Sequence, residues 1–309
     1  MTTPITLLCF GFGYTAQHLA SALHSHNHTE TASERSACFI YGTTQSCDKF
    51  ETIKKANVTP LLFSGKTDET EAIKTAIHKA THILISIAPD AQGDTVLRHY
   101  KQDIVNAPSL QWIGYLSATS VYGDHNGAWV DENTPPAPTS ARGQRRVKAE
   151  QAWLDLYKNH QSPVHIFRLA GIYGTQRNVL EQIKTGQAKR IDKKDQVFSR
   201  IHVDDIARIL IASIQQPGAG EIYNVCDNDP AASHDVTAYG CQLLGAEVPP
   251  LIPYEDADLS PMAQSFYADN KRVKNTKIKT ELGVSLKFPD YKAGLDSLFK
   301  QMHTQQDAE

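Results

Sequence analysis

Short apolar segments alternate with segments of helical periodicity through the first two thirds of the chain. Unbroken apolar runs rich in β-branched and aromatic side chains predict buried strands. These strands are predicted at 5–10, 38–42, 60–64, 82–87, 111–117 and 164–169. The intervening helices are predicted at 14–23, 47–56, 69–80, 95–106 and 140–160. Strands that alternate with helices predict βαβ units, and therefore an α/β fold with a doubly wound parallel sheet.

The alternation weakens after residue 169, where a second and smaller unit is predicted. A strand and a helix within 198–216, followed by a strand at 221–225, predict one return of the chain to the sheet. From residue 227 onward the pattern is mostly helical. The expected units are a main domain over 1–174, to which 198–226 returns, and a smaller, mostly helical C-terminal lobe over 175–197 and 227–309.

Composition narrows the functional class of the protein. Of 309 residues, 40% are apolar, and basic and acidic side chains nearly balance at a net charge of −3. This balance argues against nucleic acid as the main partner, because phosphate neutralisation needs a basic excess. No apolar run approaches the roughly 18 residues of a membrane span, and the five cysteines lack C-x-x-C spacing. We therefore expect a cytoplasmic globular protein with reduced thiols, no metal site and no membrane contact.

The segment after the first predicted strand carries a phosphate-binding pattern. It reads G-x-G-x-x-A in Gly11, Phe12, Gly13, Tyr14, Thr15 and Ala16. Gly11 allows a tight turn, and Gly13 lets the backbone approach a pyrophosphate that the following helix N-terminus attracts. Between a predicted strand and a predicted helix, the pattern predicts a Rossmann-type domain that binds a dinucleotide. A glycine turn that serves only compactness is the alternative.

The end of the second predicted strand bears on which dinucleotide binds. A carboxylate at this point would bind the ribose 2′-hydroxyl of NAD and repel the 2′-phosphate of NADP. The chain instead has Thr43, Thr44, Gln45 and Ser46, with Asp48 and Lys49 close behind. Hydroxyls, an amide and a nearby lysine favour NADP over NAD. Capping of the next helix by the same hydroxyls is an alternative, and it is compatible with cofactor binding.

Three further motifs resemble one protein family. They are LSATSVYG at 116–123, FRLAGIYG at 167–174 and RIHVDDIA at 200–207. In this order they resemble the extended short-chain dehydrogenases/reductases of the NAD-dependent epimerase/dehydratase family. The segments 40–44, 86–89 and 271–275 are most similar to an atypical, YeeZ-like branch of that family. The resemblance implies hydride transfer between a nicotinamide cofactor and a polar small molecule such as a sugar derivative, with the C-terminal lobe as the substrate lobe.

The resemblance also implies a catalytic Ser or Thr, a Tyr and a Lys, and the chain departs from this pattern. Ala118 stands at the Ser/Thr position, and Arg142 and Arg146 stand at the Tyr and Lys positions of the Y-G-x-x-K-x-x-x-E segment. A rival register places Gln144 and Lys148 there, and it too lacks a tyrosine. Arginine cannot act as the acid, because its pKa exceeds 12.

Candidate site residues follow from these motifs. The catalytic candidates are Ser117, Thr119, Tyr122, Arg142 and Arg146. The cofactor candidates are Gly11, Phe12, Gly13, Tyr14, Thr15, Thr43, Thr44, Gln45, Ser46, Ser86, Ile87, Ala88, Pro89, Ser117 and Arg146. The substrate-lining candidates are Tyr122, Tyr173, Arg200 and His202. Arg142 suits a carboxylate or phosphate, which its planar fork can clamp; a solvated basic helix face is the alternative.

Two functions of different classes remain open at this point. The first is an NADP-dependent oxidoreductase or nucleotide-sugar epimerase with a non-standard active site, either monomeric or homodimeric. The second is a binding module, a nucleotide sensor that retains the cofactor cradle without catalysis. The glycine motif supports binding under both hypotheses, whereas Ala118, Arg142 and Arg146 favour the sensor.

Overall fold

The computed structural model describes residues 4–29, 38–65 and 71–306. Its strands are β1 Ile5–Phe10, β2 Cys38–Thr44, β3 Thr59–Leu62, β4 His82–Ile85, β5 Trp112–Ala118, β6 Trp129–Val130, β7 Val164–Leu169, β8 Gly171–Tyr173, β9 Arg190–Asp192, β10 Arg200–His202, β11 Ile222–Val225, β12 Leu251–Pro253 and β13 Arg272–Val273. Its α-helices are α1 Tyr14–Thr29, α2 Phe50–Lys55, α3 Glu71–Lys79, α4 Thr95–Val105, α5 Ala141–His160, α6 Val179–Lys184, α7 Val203–Gln215, α8 Ser233–Leu244, α9 Pro261–Tyr267, α10 Thr276–Thr280 and α11 Tyr291–Gln306. Short 3₁₀ helices span Cys47–Lys49, Thr119–Val121 and Tyr254–Asp256.

A parallel sheet forms the centre of the described chain. Its seven strands run in the order β11-β7-β5-β4-β1-β2-β3, and each neighbouring pair is parallel. The strand order reverses between β1 and β4, so the loops that follow these two strands open onto one crevice at the carboxyl edge of the sheet. The predicted α/β class with a doubly wound parallel sheet is confirmed.

Helices cover both faces of this sheet. Leu7 and Cys9 of β1 belong to one buried core, to which α1 and α7 also contribute. Leu8 and Phe10 belong to the opposite core, which includes residues of α3, α4 and α5. Because successive side chains of a strand point to opposite faces, a strand covered on both sides is apolar at most positions. The nearly continuous apolar runs in the sequence therefore have a direct structural cause.

The C-terminal helices have a smaller core of their own. Leu180 of α6, Val236 of α8 and Leu295 of α11 pack together there. Between these helices and the sheet, β8 pairs with β10 and β9 pairs with β12. This arrangement agrees with the predicted smaller, mostly helical lobe, whereas the exact domain boundaries stay a prediction.

Several predicted element boundaries need correction. The strand predicted at the start of 198–216 is β10, which pairs with β8 outside the central sheet, and only β11 returns to the sheet beside β7. The strand predicted at 82–87 ends at Ile85, so 86–89 is a loop. Helix α1 continues to Thr29, beyond its predicted end. The first residues of the helix predicted at 69–80 lie outside the described residues. None of the described helices is both long and apolar enough to cross a membrane.

Candidate functional site

The glycine loop between β1 and α1 is fastened to the end of β2. The Gly11 N–H donates to Thr43 Oγ1 at 2.8 Å, and the Phe12 N–H donates to the Thr43 carbonyl oxygen at 2.9 Å. Gly11 has φ +87°, and a Cβ atom there would lie 2.9 Å from Ile87 Cγ1. Both the backbone conformation and the neighbouring side chain therefore require glycine at this position.

Open space lies in front of Gly13. A Cβ atom on Gly13 would meet no atom within 4 Å, and α1 begins at the next residue with no acidic side chain in its first turn. The N-terminus of a helix of this length attracts anions through its free N–H groups and its dipole. Phe12 turns away from this space, because its buried ring packs on Gly42. It could therefore contact a ligand only through its backbone.

Tyr14 and Thr15 extend this loop toward the C-terminal lobe. The Tyr14 hydroxyl donates to the Thr175 carbonyl oxygen at 2.9 Å, and the Arg177 guanidinium lies 5.7 Å from the centre of its ring. Thr15 is buried and lines a cavity at the carboxyl edge of the sheet, which is described below. The first turn of α1 therefore contacts both the cavity and the lobe that faces it.

At the tip of β2, the structure corrects part of the predicted cofactor site. Thr43 is buried, and its hydroxyl already accepts the hydrogen bond from Gly11, so this side chain clamps the loop and is not available to a ligand. Ser46 caps the 3₁₀ helix Cys47–Lys49 and bonds Asp48, as the capping alternative predicted. Thr44 is half-buried and Gln45 is exposed.

A cavity of about 640 Å³ opens at the carboxyl edge of the sheet, between the glycine loop and α9. It brings together eight of the predicted site residues: Thr15, Ser86, Ser117, Thr119, Arg142, Arg146, Tyr173 and Arg200. Three predicted residues of the loop after β4 do not line it. Ile87 packs over Gly11, Ala88 is exposed and Pro89 is buried.

A buried polar network forms the floor of the cavity. The Ser117 hydroxyl donates to Glu150 Oε1 at 2.5 Å, and Glu150 forms an ion pair with Arg168 at 2.8 Å. Arg168 Nη1 in turn donates to the Tyr122 hydroxyl at 3.0 Å, which donates to Asn224 Oδ1 at 2.7 Å. Glu150 and Arg168 are 3% and 2% exposed, so the ion pair is well shielded from water. The network joins β5, α5, β7 and β11.

This network removes Tyr122 from the catalytic and substrate-lining candidates. Its ring is fully buried, and its hydroxyl is committed to Arg168 and Asn224 rather than to the cavity. Burial also raises the pKa of Tyr122 to about 12. A phenol in this position is neither within reach of a ligand in the cavity nor acidic enough to release a proton near neutral pH.

Two of the three arginines of α5, Arg142 and Arg146, line the cavity, and they occupy different environments. Arg146 is half-buried and donates to the Leu116 carbonyl oxygen and to the Tyr115 hydroxyl. Arg142 is exposed, and its guanidinium carbon lies 4.6 Å from the centre of the Phe266 ring. The residues of the rival register, Gln144 and Lys148, are exposed and do not line the cavity.

Three charged residues that the sequence did not single out as site residues also line the cavity: Arg177, Asp269 and Lys271. Lys271 donates to the Gly123 carbonyl oxygen at 2.8 Å and lies 3.4 Å from Asp269. Burial lowers the pKa of Lys271 below its usual range. Thr139 Oγ1 holds the other oxygen of Asp269 at 2.6 Å. The segment 271–275 drew attention only through the resemblance, and nothing local in it indicates a cavity residue.

Of the remaining substrate-lining candidates, Tyr173 and Arg200 line the cavity. Tyr173 is largely buried, and burial raises its pKa well above the usual range for a tyrosine. Arg200 donates to the carbonyl oxygens of Phe198 and Ala231, and burial lowers its pKa. His202 does not line the cavity. It is 2% exposed, and its Nδ1 atom accepts the Asp204 N–H as the N-cap of α7.

The buried position of His202 predicts a pH-dependent stability. Burial lowers the pKa of His202 from 6.5 to about 4. Between these values the unfolded chain binds a proton that the folded chain excludes, so the free energy of unfolding falls as the pH drops from 6.5 toward 4. Asparagine at position 202 can still cap α7. We therefore expect His202→Asn to reduce the slope of the free energy of unfolding against pH by up to about 1.4 kcal/mol per pH unit. Urea unfolding across this pH range measures the slope.

The control for this prediction is His78→Asn, because His78 is an exposed residue of α3. We expect the His78→Asn protein to keep the slope of the unaltered protein. An unchanged slope in His202→Asn would show that His202 is protonated in the folded state, which its buried environment argues against.

The chain is similar to a family model, to a curated protein and to several solved structures. The model of a family described as the NAD dependent epimerase/dehydratase family matches residues 104–226. Protein YeeZ of Escherichia coli K12 is 27% identical over 230 residues, which are 72% of this chain and 76% of YeeZ. The solved structure of a functionally unknown conserved protein from Silicibacter pomeroyi is 46% identical, with a TM-score of 0.84, over 98% of this chain and 99% of that chain.

Solved enzymes share the fold at lower identity. A dTDP-glucose 4,6-dehydratase from Bacillus anthracis, in complex with NAD, is 18% identical with a TM-score of 0.74 over 99% of this chain and 98% of its own. A UDP-glucuronic acid 4-epimerase from Bacillus cereus, also in complex with NAD, is 18% identical with a TM-score of 0.69 over 98% of both chains. At this identity the likeness extends to the fold alone.

Proposed function

Because the chain belongs to the NAD-dependent epimerase/dehydratase family, we propose that it binds a nicotinamide dinucleotide and transfers hydride between that cofactor and a polar small molecule. The observation that carries this proposal is the placement of Thr15, Ser86 and Ser117 around one cavity at the carboxyl edge of the sheet. Ligands of doubly wound sheets bind at this edge, where the strand order reverses. The main unit, 1–174 with 198–226, is then the dinucleotide-binding domain.

The glycine loop fits a dinucleotide. The space in front of Gly13 would be filled by any larger side chain, and the adjoining N-terminus of α1 suits a pyrophosphate. The backbone from Gly11 to Thr15 would hold the pyrophosphate, and Ser86 would contact the middle of the cofactor. Ser117, Thr119 and Arg146 would surround the nicotinamide, which when bound supplies or accepts the hydride.

Among nicotinamide dinucleotides we favour NADP. The tip of β2 carries no carboxylate that points to a ribose, because Asp48 is bound by Ser46 in the cap of the 3₁₀ helix. Exposed Gln45 and half-buried Thr44 lie there instead, with exposed Lys49 nearby. An amide, a hydroxyl and an ammonium group can all bind a 2′-phosphate. Thr43 has no part in this contact, because its hydroxyl is already engaged.

The cavity suits a substrate rich in hydroxyl groups. Serine side chains surround it: Ser86, Ser117, Ser120, Ser140, Ser199, Ser233 and Ser265. The Bacillus cereus epimerase that shares the fold was also solved with UDP-glucuronic acid and NAD. We therefore propose a sugar-derived substrate, held between the sheet edge and the C-terminal lobe.

The proton that accompanies hydride transfer must come from a group other than the tyrosine of a Y-x-x-x-K segment, because the chain has Arg142 at that position. Arginine side chains do not serve as proton donors, and burial raises the pKa values of Tyr122 and Tyr173 above the usual range for a tyrosine. Lys271 lines the cavity, and burial moves its pKa toward neutrality. A lysine with a lowered pKa can act as a general acid or base. We assign the proton transfer to Lys271, with Thr119 orienting the substrate oxygen, because the Ser117 hydroxyl already donates its proton to Glu150.

A second candidate function has one observation in its favour. Arg142 and Arg146 line the cavity at the positions where the resemblance implies a tyrosine and a lysine. A non-catalytic NADP-binding sensor would retain the glycine loop and could tolerate this change. Such a sensor would bind NADPH without oxidising it in the presence of any carbonyl substrate, and this outcome separates the two functions.

A thermal-shift comparison of NADP⁺, NADPH, NAD⁺ and NADH tests the proposed function first. A ligand at 100 times its dissociation constant stabilises a protein by about 2.7 kcal/mol. For a chain of this size each kcal/mol raises the unfolding midpoint by roughly 2–4 °C, so we expect a shift of several degrees with NADP⁺ and NADPH. A substrate screen that follows NADPH oxidation then tests turnover.

Each outcome of the thermal-shift comparison has a distinct meaning. Equal shifts with both pairs of dinucleotides would remove the argument from Thr44, Gln45 and Lys49 for NADP. No shift with any of the four, in a protein that unfolds cooperatively, would reject dinucleotide binding and with it both functions.

A further inference from the structure

The cavity at the carboxyl edge of the sheet is lined mainly by positive charges, although the protein as a whole is negatively charged. Its charged lining residues are the cations Arg142, Arg146, Arg177, Arg200 and Lys271 and, among the described carboxylates, Asp269. The formal net charge of the chain is −3. A cleft lined by one sign of charge concentrates ligands of the other sign. The cavity therefore selects anions within a protein that is acidic overall.

Most of this positive charge is not neutralised by the protein. Lys271 pairs with Asp269 at 3.4 Å. Arg146 and Arg200 donate to backbone carbonyl oxygens, which fix a guanidinium in place without cancelling its charge. Within the described residues, none of the four arginines lies within 4.0 Å of a carboxylate oxygen. At least three cations therefore remain for ligands.

Arg142 and Arg177 differ from Arg146 and Arg200 because their guanidinium groups donate no hydrogen bond within the described residues. Of these two, Arg142 lies nearer to an aromatic ring: its guanidinium carbon is 4.6 Å from the centre of the Phe266 ring, whereas that of Arg177 is 5.7 Å from the centre of the Tyr14 ring. Stacking holds the guanidinium plane in place and leaves the N–H groups along its edge available. A carboxylate or a phosphate can accept two parallel hydrogen bonds from this edge.

We propose that Arg142 recognises a carboxylate or phosphate group on the substrate itself and that Phe266 orients its guanidinium for this contact. The inference rests on the proposed function, since it assigns the substrate class of the same cavity: an anionic sugar derivative rather than a neutral sugar. Arg142 is then a specificity-determining residue. Its charge is permanent, so its role is binding and not proton transfer.

The test compares glucose with two derivatives that carry an anionic group at C6, on protein saturated with NADP⁺. Glucuronate, glucose 6-phosphate and glucose are titrated calorimetrically. We expect one or both anions to bind at least about tenfold more tightly than glucose, and Arg142→Gln to remove most of this preference. Arg142→Lys keeps the charge but loses the two-pronged contact, so we expect an intermediate affinity. Phe266→Leu should weaken anion binding in the same direction.

Arg145→Gln is the matched control. Arg145 lies on the same helix, is exposed and does not line the cavity, so its loss changes the net charge by the same amount. Equal losses in Arg142→Gln and Arg145→Gln would overturn the inference, and so would failure of both anions to bind the unaltered protein. Glucuronate and glucose 6-phosphate together show whether the site prefers a carboxylate or a phosphate.

The inference and the proposed function can fail separately. If NADP⁺ causes a thermal shift but neither anion binds, the dinucleotide site stands and the assignment of Arg142 is wrong. If no dinucleotide binds, the same titration is made on the protein alone. If anion binding to the protein alone depends on Arg142, the assignment of Arg142 is supported and the proposed hydride transfer is rejected.

Discussion

Alanine at Gly13 is expected to weaken dinucleotide binding at least about tenfold while the fold stays intact. A Cβ atom at this position meets no protein atom within 4 Å, so the folded chain can accept it. The same atom would occupy the space in which a pyrophosphate approaches the backbone and the N-terminus of α1. Titration of NADP⁺ measures the loss of affinity, and urea unfolding should give a free energy within about 1 kcal/mol of the unaltered protein.

Gly11→Ala provides the contrast to this prediction. Gly11 has φ +87°, and a Cβ atom there would lie 2.9 Å from Ile87 Cγ1. We therefore expect Gly11→Ala to lower the free energy of unfolding and to disturb the loop itself. If Gly13→Ala binds the dinucleotide with unchanged affinity, the cofactor does not contact this loop as proposed. If Gly13→Ala is as unstable as Gly11→Ala, the space in front of Gly13 is not free.

The fold was predictable from the sequence because its main determinants are local. Each central strand is covered on both faces, which leaves a nearly continuous apolar run along the chain, as in β1 and β5. The glycine loop was equally readable, since Gly11 supplies the positive φ of the turn and Gly13, two residues later, has no side chain to fill the space in front of it. Periodicity and turn residues identified the doubly wound sheet and the predicted phosphate-binding loop without any knowledge of distant contacts.

The roles of individual polar side chains were less predictable because they depend on partners far away in the sequence. The motif around Tyr122 predicts a cavity residue, but the Tyr122 hydroxyl donates to Asn224, 102 residues further along the chain. The Thr43 hydroxyl turns back to the Gly11 N–H, 32 residues before it. Sequence patterns indicate which side chains can form hydrogen bonds. They do not indicate which of several possible partners the fold brings within reach.

The same limit explains why Lys271 and Phe266 were missed. Both reach the cavity from the segment after α8, and β13 pairs with β6, more than a hundred residues earlier in the chain. Lys271 is fixed there by the Gly123 carbonyl oxygen, 148 residues away. Neither residue lies in a motif with a local physical requirement, so only the tertiary structure connects them with Arg142 and Ser117.

The buried ion pair beneath the cavity predicts the largest effect on stability. Glu150→Gln leaves the Arg168 guanidinium 2% exposed and without a counter-charge. Removal of one partner of a buried ion pair costs about 3–5 kcal/mol. We therefore expect Glu150→Gln to lower the free energy of unfolding by that amount, measured by urea unfolding near neutral pH. Such a loss is a large fraction of the roughly 5–15 kcal/mol that stabilises an ordinary protein.

Glu51→Gln is the control, because Glu51 pairs with Lys54 on the exposed surface of α2. Surface pairs contribute about 0–1 kcal/mol, so this variant should unfold nearly as the unaltered protein does. Adding Arg168→Met to Glu150→Gln should recover part of the loss, because no buried charge then remains unpaired. If Glu150→Gln and Glu51→Gln lose the same amount, water must reach Arg168, and the network would not be the rigid support of Ser117 at the cavity floor. A large loss in Glu150→Gln alone, with recovery in the double variant, would tie the position of Ser117 to one charge pair that links α5 with β7.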